Sequence, residues 1–251
     1  MKTAGIMLVR DEADIIGHTL DWMETQVDHI YLLDNCSRDP TTIIIEGREK
    51  VTVIPDNEIA YWQSRKMTDL ARRALEEGFH WVVPCDADEM WIAPDGLTLA
   101  QFFEGVSPNI QVIRAELFDF VPTNLDNLEE ENPFRRLQWR LPRKARLAKV
   151  ACRTDRSLVI HAGNHGAHYT THHFAVGGLT IRHCTWRTEE QYLKKIRNGI
   201  EAYRATDLPE DVGAHWRMWD GIGEEAIREH FRKWFYYEDP ELRGLVHDPL
   251  T

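Results

Sequence analysis

Apolar positions fall along this chain in two alternating rhythms. Short runs, "GIMLV" (5–9), "HIYLLD" (29–34), "VTVIP" (51–55) and "FHWVV" (79–83), have the length and composition of buried strands. Between them apolar residues recur at helical spacing. Ile15, Ile16, Leu20 and Met23 follow the first run, and Met67, Leu70, Ala71 and Ala74 share one face of the segment from Trp62 to Gly78. Asp11 stands where it would cap the first helix, and Gly78 where it would stop the second. Strand, helix, strand in this order predicts an α/β fold with right-handed crossovers, a mostly parallel central sheet and helices on both faces.

The rhythm loosens in the second half. "NLDNLEEENPFRRLQWRLPRKARLAK" (124–149) passes from acidic to basic, contains two prolines and has little periodicity, which reads as a long surface excursion. "GGLTIRHCTW" (177–186) reads as a late strand. Thr188 with Gln191 is a capping-box signal for a helix carrying Tyr192, Ile196, Ile200 and Tyr203, and the aromatic tail from residue 223 predicts a final helix. The expectation is a single domain over residues 1–251, with a regular half at 1–105 and an irregular half at 106–251.

Composition narrows the class. A chain of 251 residues with 43% hydrophobic residues can bury a substantial core, which excludes a disordered chain. The formal charge of -11 argues against nucleic-acid binding, which needs basic surface to neutralise phosphates. Four cysteines without a CxxC pair suggest neither a zinc ribbon nor a disulfide framework, and so a reducing compartment. The first apolar run is broken by Arg10 before it reaches signal-peptide length, and no run is long enough for a membrane span. These features predict a cytoplasmic protein, with the basic run from Arg135 to Lys149 offering a peripheral contact to an anionic acceptor or membrane surface.

Candidate chemistry gathers where such sheets bind ligands, at the carboxyl ends of the strands. Arg10, Asp11 and Glu12 follow the first strand, "DNCSRD" (34–39) the second, and "DADE" (86–89) the fourth. Carboxylates at the rim of a core must be solvated, paired or bound to a cation, so something positive is expected near "WVVPCDADEMW" (81–91). If strand geometry persists through it, Asp86 and Asp88 project to one side and Glu89 away, a spacing that suits one Mg²⁺ or Mn²⁺. An acidic loop turn gives the same pattern without a metal. Asp34 can face a nucleotide base or ribose, or simply end its strand in an Asx turn. Arg65, Lys66, Lys194, Lys195 and Arg197 are candidates to neutralise a diphosphate, or ordinary solvated helix faces.

Six of the twelve histidines lie between residues 161 and 183. His161, His165, His168, His172 and His173 have spacings open to a zinc site, although the intervening glycines argue against one helix presenting an i, i+4 pair. His183, on the late strand, is placed to reach the acidic rim as a third protein ligand.

Taken together, "VRDEADII" (9–16), "HIYLLDNCSRDPT" (29–41), "WVVPCDADEMW" (81–91) and "IRHCTWRTEEQYLKKIRNG" (181–199) resemble a family 2-like glycosyltransferase of the GT-A fold, in the branch with an "RNE"-like opening and a "DxDE" motif. The resemblance spans residues 5 to 205. It implies a nucleotide-diphosphate sugar donor bound by the first half, an acceptor side in the second, and Mn²⁺ or Mg²⁺ bridging the diphosphate to the acidic motif. On this chain Asp34 would face the nucleotide, Asp86 ribose or metal-bound water, and Asp88 the metal, with His183 as an additional ligand. Arg10, Glu12, Arg65, Lys66 and Lys194 are the accompanying donor-site candidates. In an inverting enzyme of this kind a base takes the proton of a saccharide or other hydroxyl acceptor, and Asp119, Glu116 and His165 are the candidates. Asp11 stands where the usual opening has Asn, and the "ED" base motif of other family 2 members is absent.

Three rival readings accompany this one. A sugar nucleotidyltransferase would present a Gly-rich basic loop after its first strand, where "VRDEADIIG" offers acids. A His/Asp metallohydrolase would use the 161–183 cluster with Asp86 and Asp88. A non-catalytic binding module would keep the ligand and lose the chemistry.

Overall fold

The computed structural model describes residues 1–171 and 174–250. His172 and His173, two of the clustered histidines, lie outside the described residues. In chain order the elements run β1 (Thr3–Val9), α1 (Ile16–Gln26), β2 (His29–Asp34), α2 (Thr41–Ile45), β3 (Val51–Pro55), α3 (Gln63–Glu76), β4 (Trp81–Pro84), β5 (Glu89–Ile92), α4 (Leu99–Glu104) and β6 (Ile110–Val121). They continue as α5 (Pro133–Arg136), β7 (Trp139–Arg140), β8 (Lys149–Arg153), β9 (Val159–Ile160), β10 (Ala167–His168) and β11 (Phe174–His183). The chain ends with α6 (Glu189–Arg204), α7 (Ala214–Arg217), α8 (Glu224–Trp234) and β12 (Val246–His247).

Two compact units share the chain. The first is built from Met1–Pro55, Trp62–Phe118 and Lys144–His183, the second from Asp56–Tyr61, Asp119–Arg143 and Cys184–Thr251. This division differs from halves meeting at residue 105. The first unit extends to His183 because β8 returns to pair with β4 and β11 returns to pair with β5.

In the first unit, strand order β3-β2-β1-β4 is parallel throughout, as the strand and helix alternation requires. The later strands are antiparallel, β8 to both β4 and β6, and β11 to β5. The sheet is therefore mixed, its parallel part coming from the regular first 85 residues. Alternation along β1 sorts its two faces. Ala4 and Ile6 join Tyr31 and Val82 in a core with Met67, Leu70, Ala71 and Ala74 of α3. Gly5 points the other way, where a Cβ would meet Ile30 Cγ1 at 3.3 Å and Met23 Cε of α1 at 3.4 Å. A small residue there lets α1 approach the sheet. Gly78, at φ +83, ends α3 in the left-handed region.

Asp11 does not cap α1, which begins four residues past the expected start, at Ile16. Asp11 is instead left-handed, with φ +54, and its Oδ1 accepts from the backbone of Arg38 at 2.5 Å and of Asp39 at 3.2 Å.

The second unit centres on α6, α7 and α8. Tyr192, Leu193 and Ile196 of α6 bury against Ile227 and Phe231 of α8, with Trp186, Trp216 and Phe235 packed around them. Thr188 Oγ1 accepts from Gln191 N at 3.1 Å, while the Gln191 side chain turns to Arg187 N, so the helix has half of a capping box. Before β8 opens at Lys149, the 124–149 excursion contains α5, capped by Asn132, and the two-residue β7.

Candidate functional site

The acidic stretch is a turn. β4 stops at Pro84, residues 85–88 break the strand in a turn that Glu89 N closes by donating to Asp86 O at 3.2 Å, and β5 begins at Glu89. The expectation of a continuous strand with Glu89 pointing away is corrected here, because β5 leaves β4 to pair with β11. Several contacts fix the turn: Cys85 N donates to Ile6 O at 3.0 Å, Thr19 Oγ1 of α1 to Ala87 O at 2.5 Å, and Trp22 Nε1 to Trp91 O at 2.8 Å. Glu89 is fully buried, and its Oε2 accepts from Asp86 N and from Trp91 Nε1, each at 3.1 Å. A carboxylate is thus the internal scaffold of the turn.

The expected positive partner is within the chain. Lys149, read from sequence as the end of a basic run offered to an anionic acceptor or membrane surface, opens β8 with its side chain 5% exposed. Its Nζ binds Asp86 Oδ2 and lies 2.8 Å from Glu89 Oε1. Burial works against the ammonium charge, but Asp86 and Glu89 outweigh it and raise the lysine's pKa, so it stays charged. Burial pushes Glu89 up from the usual carboxylate range while Lys149 pulls it back. The other oxygen of Asp86 accepts from Asn164 Nδ2 at 3.0 Å. Both oxygens of the residue expected at ribose or cation are therefore already engaged by Lys149 and Asn164. The Oδ1 of Asn164 is fully buried without a hydrogen-bond partner among the described residues.

Asp88 has different company. The antiparallel register pairs His183 with Glu89, which brings His183 beside Asp88. His183 Nε2 is 3.7 Å from Asp88 Oδ1, with side-chain exposures of 16% and 4%. That distance exceeds a direct hydrogen bond and is compatible with two ligands on one cation. Among the described residues no three His, Cys, Asp or Glu side chains are grouped to hold a metal, either here or in the histidine-rich stretch. A carboxylate and an imidazole suit Mn²⁺ or Mg²⁺ held by few protein ligands with phosphate and water completing the shell; they do not make a structural zinc site.

The other two rim clusters are laced together. Asp34 is buried and accepts from Ser37 N at 3.2 Å and Thr42 Oγ1 at 2.7 Å, the Asx-turn arrangement. Asp11 N donates to Ser37 Oγ at 3.0 Å and Glu12 N to Thr41 Oγ1 at 2.8 Å. Arg10 Nε lies 4.0 Å from Asp11 Oδ2. Of the basic candidates on α3, Lys66 is buried, and Arg65 is exposed with its guanidinium 5.8 Å from the Trp62 ring centre.

The base candidates lie in three settings. Glu116, exposed on β6, is ion-paired with Lys144. Asp119 belongs to the second unit, where its carbonyl accepts from Leu141 N at 2.9 Å, and Lys194 belongs to the same unit on α6. His165 belongs to the first unit. Its loop is riveted to α3: Gly163 N donates to Gln63 Oε1 at 2.6 Å, Ser64 Oγ to Ile160 O at 2.5 Å, and Ile160 N to Thr68 Oγ1 at 3.0 Å. His165 Nδ1 is 2.9 Å from Ala148 O. Burial lowers the imidazole's pKa, and Lys149, Asp86 and His183 are charges that act on it.

Sequence reading missed Lys149, Asn164, Thr19 and Trp22. Only Lys149 left a signal, as a lone cation opening the apolar run "KVAC".

No protein-family model matches the chain, and no curated protein matches it. Among solved structures it is similar to S. aureus TarS residues 1–349 in complex with UDP, at 12% identity and a TM-score of 0.42, over 88% of this chain and 73% of that one. It is similar to glucosyl-3-phosphoglycerate synthase from Mycobacterium tuberculosis in complex with phosphoglyceric acid, at 17% identity and 0.32, over 46% and 44%. It is also similar to 4-diphosphocytidyl-2C-methyl-D-erythritol synthase from Anaerococcus prevotii, at 11% identity and 0.31, over 94% and 88%. With every TM-score below 0.5, the functional case rests on this chain's own residues.

Proposed function

We propose that this protein is a metal-dependent glycosyltransferase that moves a sugar from a nucleotide-diphosphate donor to an acceptor hydroxyl with inversion. The carrying observation is the Asp88 and His183 pair, 3.7 Å apart beside a turn whose remaining carboxylates are neutralised internally. Lys149 meets the charge of Asp86 and Glu89, and the antiparallel register sets His183 beside Asp88. These two would hold Mn²⁺ or Mg²⁺. Bound there, the cation would offset the charge of the departing diphosphate.

The chain's own groups do the positioning. Glu89, Thr19 and Trp22 fix the turn that carries Asp88, and the sheet register fixes His183. Asp34 and Asp11 hold the neighbouring rim loops, where a nucleotide would lie in an open α/β sheet. The acids after β1 do not form the Gly-rich phosphate loop of a nucleotidyltransferase, so sugar transfer is the better reading.

Thermal unfolding against UDP, GDP, CDP and dTDP, each with Mn²⁺ and with EDTA, tests it. A ligand at about 100 times its dissociation constant stabilises a native state by roughly 2.7 kcal/mol. Stabilisation by one nucleotide only when Mn²⁺ is present is expected; no shift with any pair refutes the proposal.

A further inference from the structure

Among the groups near the acidic turn, His165 alone combines exposure, a fixed ring and a defined tautomer. A carbonyl oxygen has no proton to give, so the 2.9 Å contact with Ala148 O requires the hydrogen on His165 Nδ1. The neutral ring then carries its lone pair on Nε2. One covalent neighbour and one hydrogen-bond partner tie this ring to the acidic turn. Asn164, the preceding residue, donates to Asp86, and Ala148 precedes Lys149, which binds Asp86 from the other side. Gly163, at φ +75, leaves space for the ring: a Cβ there would lie 2.5 Å from His165 Cδ2.

We propose that His165 is the catalytic base, accepting the acceptor hydroxyl's proton on Nε2 while Ala148 O holds the ring through Nδ1–H. The assignment rests on the sugar-transfer reading. The acceptor O–H bond breaks, its proton passes to Nε2, and the electron pair left on oxygen forms the bond to the sugar's anomeric carbon. The bond from that carbon to the donor's phosphate oxygen breaks, and its pair stays on the diphosphate. The imidazolium then returns its proton to solvent, so no further reactant is required. Burial lowers the ring's pKa and keeps it neutral at the start of the step. Glu116 is a poorer candidate because Lys144 occupies its carboxylate.

Nitrogen-edited NMR of the full chain reads the tautomer without any ligand, and His165→Gln reads the chemistry. The expected ring is neutral and Nδ1-protonated at about pH 7. His165→Gln should bind Mn²⁺ with the stabilising nucleotide within about twofold of wild type. It should release the nucleoside diphosphate from the matching sugar nucleotide, with water or added sugar as acceptor, about 100-fold or more slowly. Imidazole in solution should restore part of the rate to His165→Ala, which a purely structural role would not allow. An Nε2-protonated or doubly protonated ring, or an unchanged rate in His165→Gln, overturns the assignment. So does a loss of Mn²⁺ affinity equal to that of His183→Gln, which would make the ring a cation ligand. Absence of nucleotide binding in wild type would be a failure of the sugar-transfer reading, while the NMR result would still decide the ring's protonation.

Discussion

Lys149 Nζ lies 2.8 Å from Glu89 Oε1 at the base of the acidic turn, with side chains 5% and 0% exposed. Removing one member of such a buried pair leaves the other charge without compensation, at a cost of about 3–5 kcal/mol. Lys149→Met should therefore lower unfolding free energy by roughly that amount in urea titration. A loss below about 1 kcal/mol, the range of an exposed pair, would show that Lys149 does not neutralise the turn.

Asp88 is the complementary case, because its carboxylate lies 3.7 Å from the His183 imidazole. Asp88→Asn should keep the fold and remove Mn²⁺-dependent nucleotide stabilisation. A weakening of at least about 100-fold is expected, beyond the usual 10- to 100-fold effect of groups that only orient a ligand. His183→Gln should act in the same direction. Calorimetric titration of the nucleotide with Mn²⁺ and with EDTA separates the metal-dependent part, and unchanged Mn²⁺-dependent affinity in Asp88→Asn would remove Asp88 from the site.

Asp34 has a structural task that its sequence setting also allowed. Its oxygens hold Ser37 N and Thr42 Oγ1, so Asp34→Ala strands two donors in a partly buried loop. A loss of about 1–3 kcal/mol is expected, with weaker nucleotide binding even without metal. Retained affinity beside lost stability would restrict Asp34 to shaping its loop.

The difference between Asp34 and Lys149 shows what was readable in sequence. Local periodicity located β2 and β3 to the residue, and α3 with its Gly78 stop, because those signals depend on neighbours in the chain. The polar rim loops after β1 and β2 were legible for the same reason. Lys149 reaches Asp86 across 63 positions and Asn164 reaches it across 78, through strand pairings that periodicity cannot specify. The strand break at residues 85–88 was hidden because an apolar run continues on both sides of it. His183 was singled out from its strand, but only the register with β5 sets it beside Asp88.

Acid should weaken the fold through its partly buried histidines. Burial lowers the pKa of His29, His165, His215 and His230 below the ordinary value of 6.5. Between the folded and unfolded values the unfolded chain binds more protons, so these four groups make stability rise with pH and fall as pH drops through 6.5. Urea titrations across that range should show the decline, and His29→Gln should reduce its slope. An equal slope in the variant would exclude His29 as a contributor.

Gly163→Ala tests whether the ring of His165 is held in place by its own loop. A side chain at φ +75 has a backbone cost of about 1–2 kcal/mol, and the new Cβ would lie 2.5 Å from His165 Cδ2. The ring must swing away, losing its contact with Ala148 O. Gly78→Ala provides the control: φ is +83, but nothing lies within 4 Å of the added Cβ. Both variants should lose about 1–2 kcal/mol in urea unfolding, and only Gly163→Ala should lose the Nδ1-protonated signature of His165. It should also slow donor cleavage while nucleotide affinity with Mn²⁺ stays near wild type, since Asp88 and His183 are untouched. Equal effects of the two substitutions on His165 and on turnover would mean that the loop does not orient the ring, and that strain alone separates these variants from wild type.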